Sequence, residues 1–394
     1  MRNTRTIVVA GAGIGGLAAS LFLARAGYRV VLAERAPALP STGAGIQLSP
    51  NAGRVLSELR LDEAIDDVSL TPNAIDIRNG RTGAPLASIP LGDRIRGRYG
   101  APYRLVHRAD LAAVLARAVS EEPDIEMMLG TELVEFAAHR NGVTAALNSA
   151  NRVHEIRASM LVAADGVRSI VRAAMPGLRP ARPTGRTAWR AMLPVADIPD
   201  HVEANRTGLW LGPDAHLVHY PLRAGTELNI VAIVKDDDPA GWNEPGDPER
   251  LRRQFRHWSP FAQVLLARPA TWRTWPIFAA PPSGIWVSGP VALLGDAAHA
   301  MTPFLAQGGA MALEDAAVLC RAVVANRDDL PASLLRYQAL RRPRVAKVWR
   351  RSRSAGELYH LDPVTSPVRD FGMRVLSRLS LLGNYGWLYR WRPQ

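Results

Sequence analysis

Four short stretches hold residues whose type and spacing can do chemistry. The first, Ile7–Glu34 (IVVAGAGIGGLAASLFLARAGYRVVLAE), carries Gly11, Gly13 and Gly16 as G-x-G-x-x-G and ends on Glu34, followed by Arg35. The second is Asp165-Gly166 in LVAADGVRSIVRAAM, and the third is Gly295-Asp296 in VALLGDAAHA. Glycines so spaced let backbone approach a pyrophosphate, and a carboxylate beyond them accepts ribose hydroxyls. The fourth stretch, GPDAHLVHYPLRAG, holds His216 and Tyr220. With a strand period of two, His216, Val218 and Tyr220 share one face while Leu217 and His219 share the other. An imidazole and a phenol on one face can take and orient a phenolic proton.

The first stretch reads as strand Thr6–Ala10, a glycine turn, helix Gly15–Ala26 closed by Gly27, and strand Arg29–Ala33. Arg2 and Arg5 ahead of an apolar run also suit a signal peptide, but the glycines at 11, 13, 15 and 16 would interrupt its helical core. In the strand–turn–helix, Gly11 permits the tight turn, Gly13 the approach to phosphate, and Gly16 the packing of helix on strand. The helix N-terminus adds unpaired N–H groups and partial positive charge. Glu34 stands 18 residues beyond Gly16 and would repel a 2′-phosphate, so NADP suits this site poorly. The glycines alone do not distinguish FAD from NAD.

Asp165 and Asp296 each follow a buried apolar strand, Met160–Ala164 and Val291–Leu294. Each is either a helix cap or a ligand to a cofactor hydroxyl. On the capping alternative, Asp165 caps while Ser169 and Arg172 lie on the helix surface. Between the strands, residues after Glu34 read as a loop returning over the nucleotide site, with Gly43, Gly45, Ile46 and Gln47 close to a flat ligand. Residues 71–100 look strand-like, with turn signals at Asn79-Gly80 and Gly92-Asp93. Leu105–Val119 has helical spacing, and 176–284 suggests a mostly antiparallel sheet. The expected fold is α/β: a Rossmann-like parallel sheet from 1–70, 101–175 and 285–345, an inserted antiparallel substrate-side sheet from 71–100 and 176–284, and C-terminal helices over 346–394.

The net charge of +12 is almost entirely arginine and is scattered rather than clustered. Its densest run, Arg336–Arg353, reads as an exposed helix with a solvated face. Such a field draws anionic ligands but does not make a nucleic-acid module. One cysteine, Cys320, excludes an internal disulfide and a cysteine metal cage, so no metal is expected, and it fits a reducing cytoplasm.

Taken together, the three glycine–acid motifs resemble, over residues 5–345, the single-component flavoprotein aromatic hydroxylases of the p-hydroxybenzoate hydroxylase family. The resemblance implies FAD as cofactor, NADH or NADPH as co-substrate, and no separate domain for the latter. It places Gly11–Gly16, Glu34 and Arg35 at the ADP part, Leu133 by the adenine, and Arg108 of HRADL at the flavin. Asp165 is associated with both FAD and the pyridine nucleotide, and Gly295-Asp296 with ribitol and pyrophosphate. Pro303 and Ala306–Ala316, with Gly308 and Gly309, match the loop and helix start under the flavin ring. An Asp-Arg pair of many relatives is replaced by Ala279-Ala280, which leaves the substrate side less defined.

The HLVHYP stretch is similar to the branch containing salicylate 1-hydroxylase, 3-hydroxybenzoate 6-hydroxylase and 6-hydroxynicotinate 3-monooxygenase. That likeness implies a small phenolic acid, met by His216, Tyr220 and Gln307 with Gln47 and Pro303, and oxygen transfer from a flavin C4a-hydroperoxide. The plainer alternative for His216 is a satisfied sheet histidine with His219 exposed. His299 and His107 read as structural. Relatives are often homodimers. Two other readings stay open: a same-fold epoxidase or hydroxylase of polyketides or antibiotics, and a non-catalytic nucleotide- or nucleic-acid-binding protein.

Overall fold

The computed structural model describes residues 5–41, 43–199, 202–203, 205–239, 241–377 and 381–393. Strand Thr6–Ala10 leads through the glycine turn into helix Ile14–Arg25 and strand Arg29–Glu34. The apolar runs of both strands are buried on both faces, as central parallel strands require. They sit inside a six-stranded sheet ordered Val287–Ser288, Val291–Leu293, Met160–Ala163, Thr6–Ala10, Arg29–Glu34, Ile125–Leu129. Only the Val287–Ser288 edge runs antiparallel.

An eight-stranded sheet stands beside it, in the order Glu244–Gly246, Trp272–Ala279, Arg182–Pro194, Glu227–Lys235, Ala215–Leu222, Arg206–Gly212, Ala74–Asn79, Pro85–Pro90. It is antiparallel except where Ala74–Asn79 joins Arg206–Gly212 in parallel, so segments from 71–100 and 176–284 share one sheet. Its outer face closes over a second core of Trp189, Trp210, Leu217, Phe255, Trp258 and Trp272.

Several local expectations are corrected. Leu105–His107 is strand, not helix: Arg104–His107 pairs with Gly45–Leu48, and the helix starts at Arg108 because His107 Nδ1 caps it by accepting from the Ala109 N–H at 3.3 Å. Gly45–Leu48 is therefore a strand within the returning segment rather than plain loop. Gly92 opens helix Gly92–Tyr99, which Gly100 ends at φ +73°. Arg172 is not on a helix surface; it is buried and donates to the Ala297 and Ala298 carbonyls at 3.0 and 2.8 Å.

The arginine-rich run is also corrected. It lies within one helix, Leu330–Tyr359, which crosses the expected 345/346 boundary without a break. Arg341 on that helix is 1% exposed, not solvated. It bonds Glu314 Oε2 and Asp315 Oδ1, both at 2.6 Å, while Arg344 bonds both Glu314 oxygens at 2.6 and 2.7 Å. Two buried carboxylates facing two guanidiniums neutralise each other, and removing one partner of such a cluster costs about 3–5 kcal/mol. Arg341→Met should therefore lower the unfolding free energy, read from urea midpoints, by about that amount. A midpoint equal to wild type would show that the cluster does not hold the helices together.

Candidate active site

The inserted sheet presents one face to a cavity, and its register sets which residues meet there. Three adjacent strands align Ala188–Ile233–His216, then Arg190–Val231–Val218, then Met192–Asn229–Tyr220 in successive rows. Because side chains alternate, Leu217 and His219 turn to the opposite core. His219 is buried, not exposed as the plainer alternative for His216 required. His216 is also buried, and burial with Arg186 nearby lowers its pKa to about 3, so the imidazole is neutral at physiological pH. Tyr220 is held protonated by burial and hydrogen-bonds Gln47, whose Oε1 also accepts from the Tyr103 hydroxyl at 2.5 Å.

Backbone from the other unit closes on this face. Gly45 lies so near the Tyr220 ring that any side chain there would strike it, and its N–H donates to Asn229 Oδ1 at 3.0 Å. A Cβ on Gly309 would meet Ile46, so glycine lets the start of helix Gly308–Ala325 reach the Gly45–Leu48 strand.

A cavity of about 350 Å³ lies between these elements. An adjoining one of about 220 Å³ is lined by Glu34, Arg35, Leu133 and Asp165, and Gly13, Ala164 and Gly166 border both. The larger cavity takes in Gln47, Arg108, Pro303 and the Gly295-Asp296 turn. Gly295 is fixed at φ +61° with its N–H donating to Asp315 Oδ2 at 3.0 Å, and His299 reaches the same oxygen at 2.6 Å. His299 is thus structural, and so is His107, which caps its helix and bonds the Gly43 carbonyl at 2.9 Å.

The two cavities fit a flavin dinucleotide on three observations. The glycines of the first turn divide by what surrounds them: a side chain on Gly16 would collide with the Gly11 carbonyl and one on Gly11 with the Ala164 carbonyl, whereas Gly13 faces nothing within 4 Å. Packing therefore explains Gly11 and Gly16, whereas Gly13 leaves open space where the two cavities meet. Glu34 is locked by N–H donors from Ala12 (2.8 Å) and Ala36 (2.9 Å), which leaves lone pairs on both oxygens for ribose hydroxyls. Asp165 uses Oδ2 to accept from the Ile170 N–H at 3.0 Å, while its Oδ1 is buried without a partner. Burial pushes its carboxyl pKa up, against the bonds from Ser169, Val171 and Ile170.

Two expected site residues line neither cavity: Gly16, packed on the Gly11 carbonyl, and Gln307. Gln307 begins the helix at Gly308, but its amide is drawn into a buried network, donating to Ser49 Oγ at 2.9 Å and accepting from Asn51 at 3.2 Å. The structure supplies Arg190 instead. Its Nε has no partner, its guanidinium stacks 5.0 Å from the Trp275 ring, and burial with Arg108 nearby brings its pKa to about 10. An arginine at an inward-facing position of the strand TAWRAML was the available signal.

The FAD binding domain family matches residues 3–352. The chain belongs to that family. It is similar to 3-hydroxybenzoate 6-hydroxylase of Polaromonas naphthalenivorans (strain CJ2), with 35% identity across 98% of this chain and 96% of that one. It is also similar to 3-amino-4-hydroxybenzoate 2-monooxygenase of Streptomyces platensis, at 36% identity across 97% and 95%. Among solved structures, an HpxO variant of Klebsiella pneumoniae complexed with FAD superposes with a TM-score of 0.84 and 26% identity, covering 98% of each chain. The protein is an FAD-dependent aromatic-ring monooxygenase with NADH or NADPH as co-substrate. Among the described residues no helix is long and apolar enough to cross a membrane.

Gly13→Ala tests the fit. The added methyl meets no protein atom at a φ of −71°, so the apoprotein should melt as wild type does. Its FAD affinity, from fluorescence titration, should fall at least about tenfold, or ~1.4 kcal/mol. Unchanged affinity would remove Gly13 from the cofactor site.

Proposed function

We propose that this enzyme hydroxylates a small phenolic acid of the 3-hydroxybenzoate kind, using O2. The observation that carries the reading is Arg190 and His216 on one cavity face. Arg190 is half-buried, its Nε has no partner, and no carboxylate pairs with it among the described residues; a substrate carboxylate would supply one. His216 lies two strands across and one row of the face along, about 12 Å between Cα atoms, a span that one ring bearing a carboxylate and a hydroxyl can bridge between the two side chains. The names of the relatives, hydroxylases of hydroxybenzoates, support the same substrate class. A polyketide is disfavoured, because a cavity of about 350 Å³ must also take the flavin ring.

When bound, the flavin supplies two-electron transfer from the nicotinamide and activation of oxygen. We assign the ADP portion to Gly11, Gly13, Gly16, Glu34, Arg35, Leu133 and Asp165. The remainder falls to Gly45, Ile46, Arg108, Gly295, Asp296, Gly308 and Gly309. The first-turn N–H groups at Gly308 and Gly309 offer partial positive charge to the ring. Arg190 holds the carboxylate, and Tyr220 with Gln47 orients the ring. Neutral His216 accepts the phenolic proton at Nε2, which raises electron density on the ring carbons ortho and para to the oxygen. Val218, Val231 and Ile233 keep water away. The proposal extends to residues 71–100 and 176–284 as the substrate-side unit, to a cytoplasmic setting and to a homodimer.

The test is a panel of hydroxybenzoates and hydroxynicotinate assayed for acceleration of NADH oxidation coupled to hydroxylated product. Arg190→Met should raise KM for carboxylated phenols at least about tenfold (~1.4 kcal/mol) and change KM for phenols lacking a carboxylate much less. No acceleration by any member, or an unaltered KM in the variant, would contradict the proposal.

A further inference from the structure

His216 has a partner from a distant part of the chain. His360, at the end of helix Leu330–Tyr359, places Nε2 at 2.7 Å from His216 Nδ1, with the rings 4.9 Å apart and tilted by 33°. Phe304 and Tyr359 enclose the pair edge-on, Phe304 at 5.4 Å from His216 and 5.5 Å from His360. The far nitrogen of His360, Nδ1, is buried and has no partner.

The enclosure is built for closeness. A side chain on Gly356 would strike Phe304, so glycine lets that ring lie against the helix. Arg369 holds the helix end by donating to the Leu358 and Tyr359 carbonyls at 3.2 and 3.1 Å, and Asp370 anchors Arg369 at 2.7 Å.

One proton occupies the 2.7 Å contact, and its position decides what His216 presents to the cavity. With the proton on His216 Nδ1, Nε2 is a bare acceptor; with it on His360 Nε2, His216 Nε2 carries hydrogen and is a donor. The charged and titratable groups facing the pair are Arg186 from the inserted sheet, Tyr359 from the same helix and Arg369 from helix Ser366–Ser377. Burial, then Arg186, leaves His216 with a pKa of about 3, and burial, then His216, Arg186 and Arg369, leaves His360 with about 2. Neither ring stores a proton as imidazolium at neutral pH, so a proton received must be handed on.

We propose that His360 is a positioning residue that sets the tautomer of His216 and conducts the phenolic proton out of the cavity, an inference that rests on His216 meeting the phenol. The substrate O–H breaks as N–H forms at His216 Nε2. The hydrogen on His216 Nδ1 passes to His360 Nε2, and His360, the C-cap residue with 8% of its surface exposed, gives its Nδ1 hydrogen to water when the helix end opens. Both rings finish neutral with their tautomers exchanged, and the released proton balances the phenolate. Rebinding of a proton from water resets the pair.

The FAD-loaded enzyme is mixed, without NADH, with a nitro-substituted hydroxybenzoate whose phenolate absorbs in the visible, and ionisation is followed by stopped flow from pH 5.5 to 8.5. His360→Gln keeps an acceptor, the amide oxygen, for the His216 Nδ1 hydrogen, but an amide does not relay protons. The variant should retain its flavin and bind the preionised probe within about twofold of wild type. Below the probe's phenol pKa it should ionise the probe at least about tenfold more slowly, converging on wild type as pH rises. His360→Ala should lose both the speed and the tight binding. Wild-type ionisation rates in His360→Gln would overturn the relay alone. Wild-type protein that neither binds nor ionises the probe would overturn the phenolic-acid function and the relay with it.

Discussion

The carboxylates of Glu314 and Asp315 are the constraint on which the rest of the site depends. Asp315 holds the Gly295 N–H and His299 with one oxygen and Arg341 with the other. Glu314 holds Asn51 at 2.8 Å together with Arg341 and Arg344. Burial alone would raise the Asp315 pKa, but His299 and Arg341 outweigh it and hold the carboxyl below its usual value. The same acids outweigh burial at Arg341 and hold its pKa above the usual range. One charge cluster thereby joins the third glycine turn, the helix under the larger cavity, the segment after Gly45 and the helix that ends at His360.

Close approach is the second theme, and glycine serves it in two ways. Gly16, Gly45 and Gly309 are needed because protein atoms lie where a side chain would be, while Gly13 faces open space bordering both cavities. Among the first kind, Gly45 brings its strand against the Tyr220 ring of the inserted sheet. The second leaves room for what binds there. The period-two face of the inserted sheet then delivers a cation, an apolar strip, an imidazole and a phenol to one cavity wall.

Much of this was legible from the chain itself. The three glycine–acid turns were visible because each sits at the end of an apolar strand, and the His216–Tyr220 face because strand alternation needs no tertiary information. The start of the helix after His107 was hidden, since a histidine cap looks like any other helical residue. Gln307 was misplaced because its position beneath the cavity is clear from sequence, but the buried demands of Ser49 and Asn51 on its amide are not. Arg341 looked solvated because only the fold reveals two acids opposite it. His360 lay beyond the resemblance altogether and reaches His216 only from the end of a helix 30 residues long.

The central claim is that the glycine–acid turns converge on one flavin whose ring lies against the inserted sheet. A crystal structure of the FAD-loaded enzyme with 3-hydroxybenzoate tests it most directly. One FAD should extend through both cavities, touching Gly13, Asp165 and Asp296, with the substrate carboxylate on Arg190 and its hydroxyl at His216. A dinucleotide confined to the Glu34 side, or an aromatic acid bound away from Arg190 and His216, would contradict it.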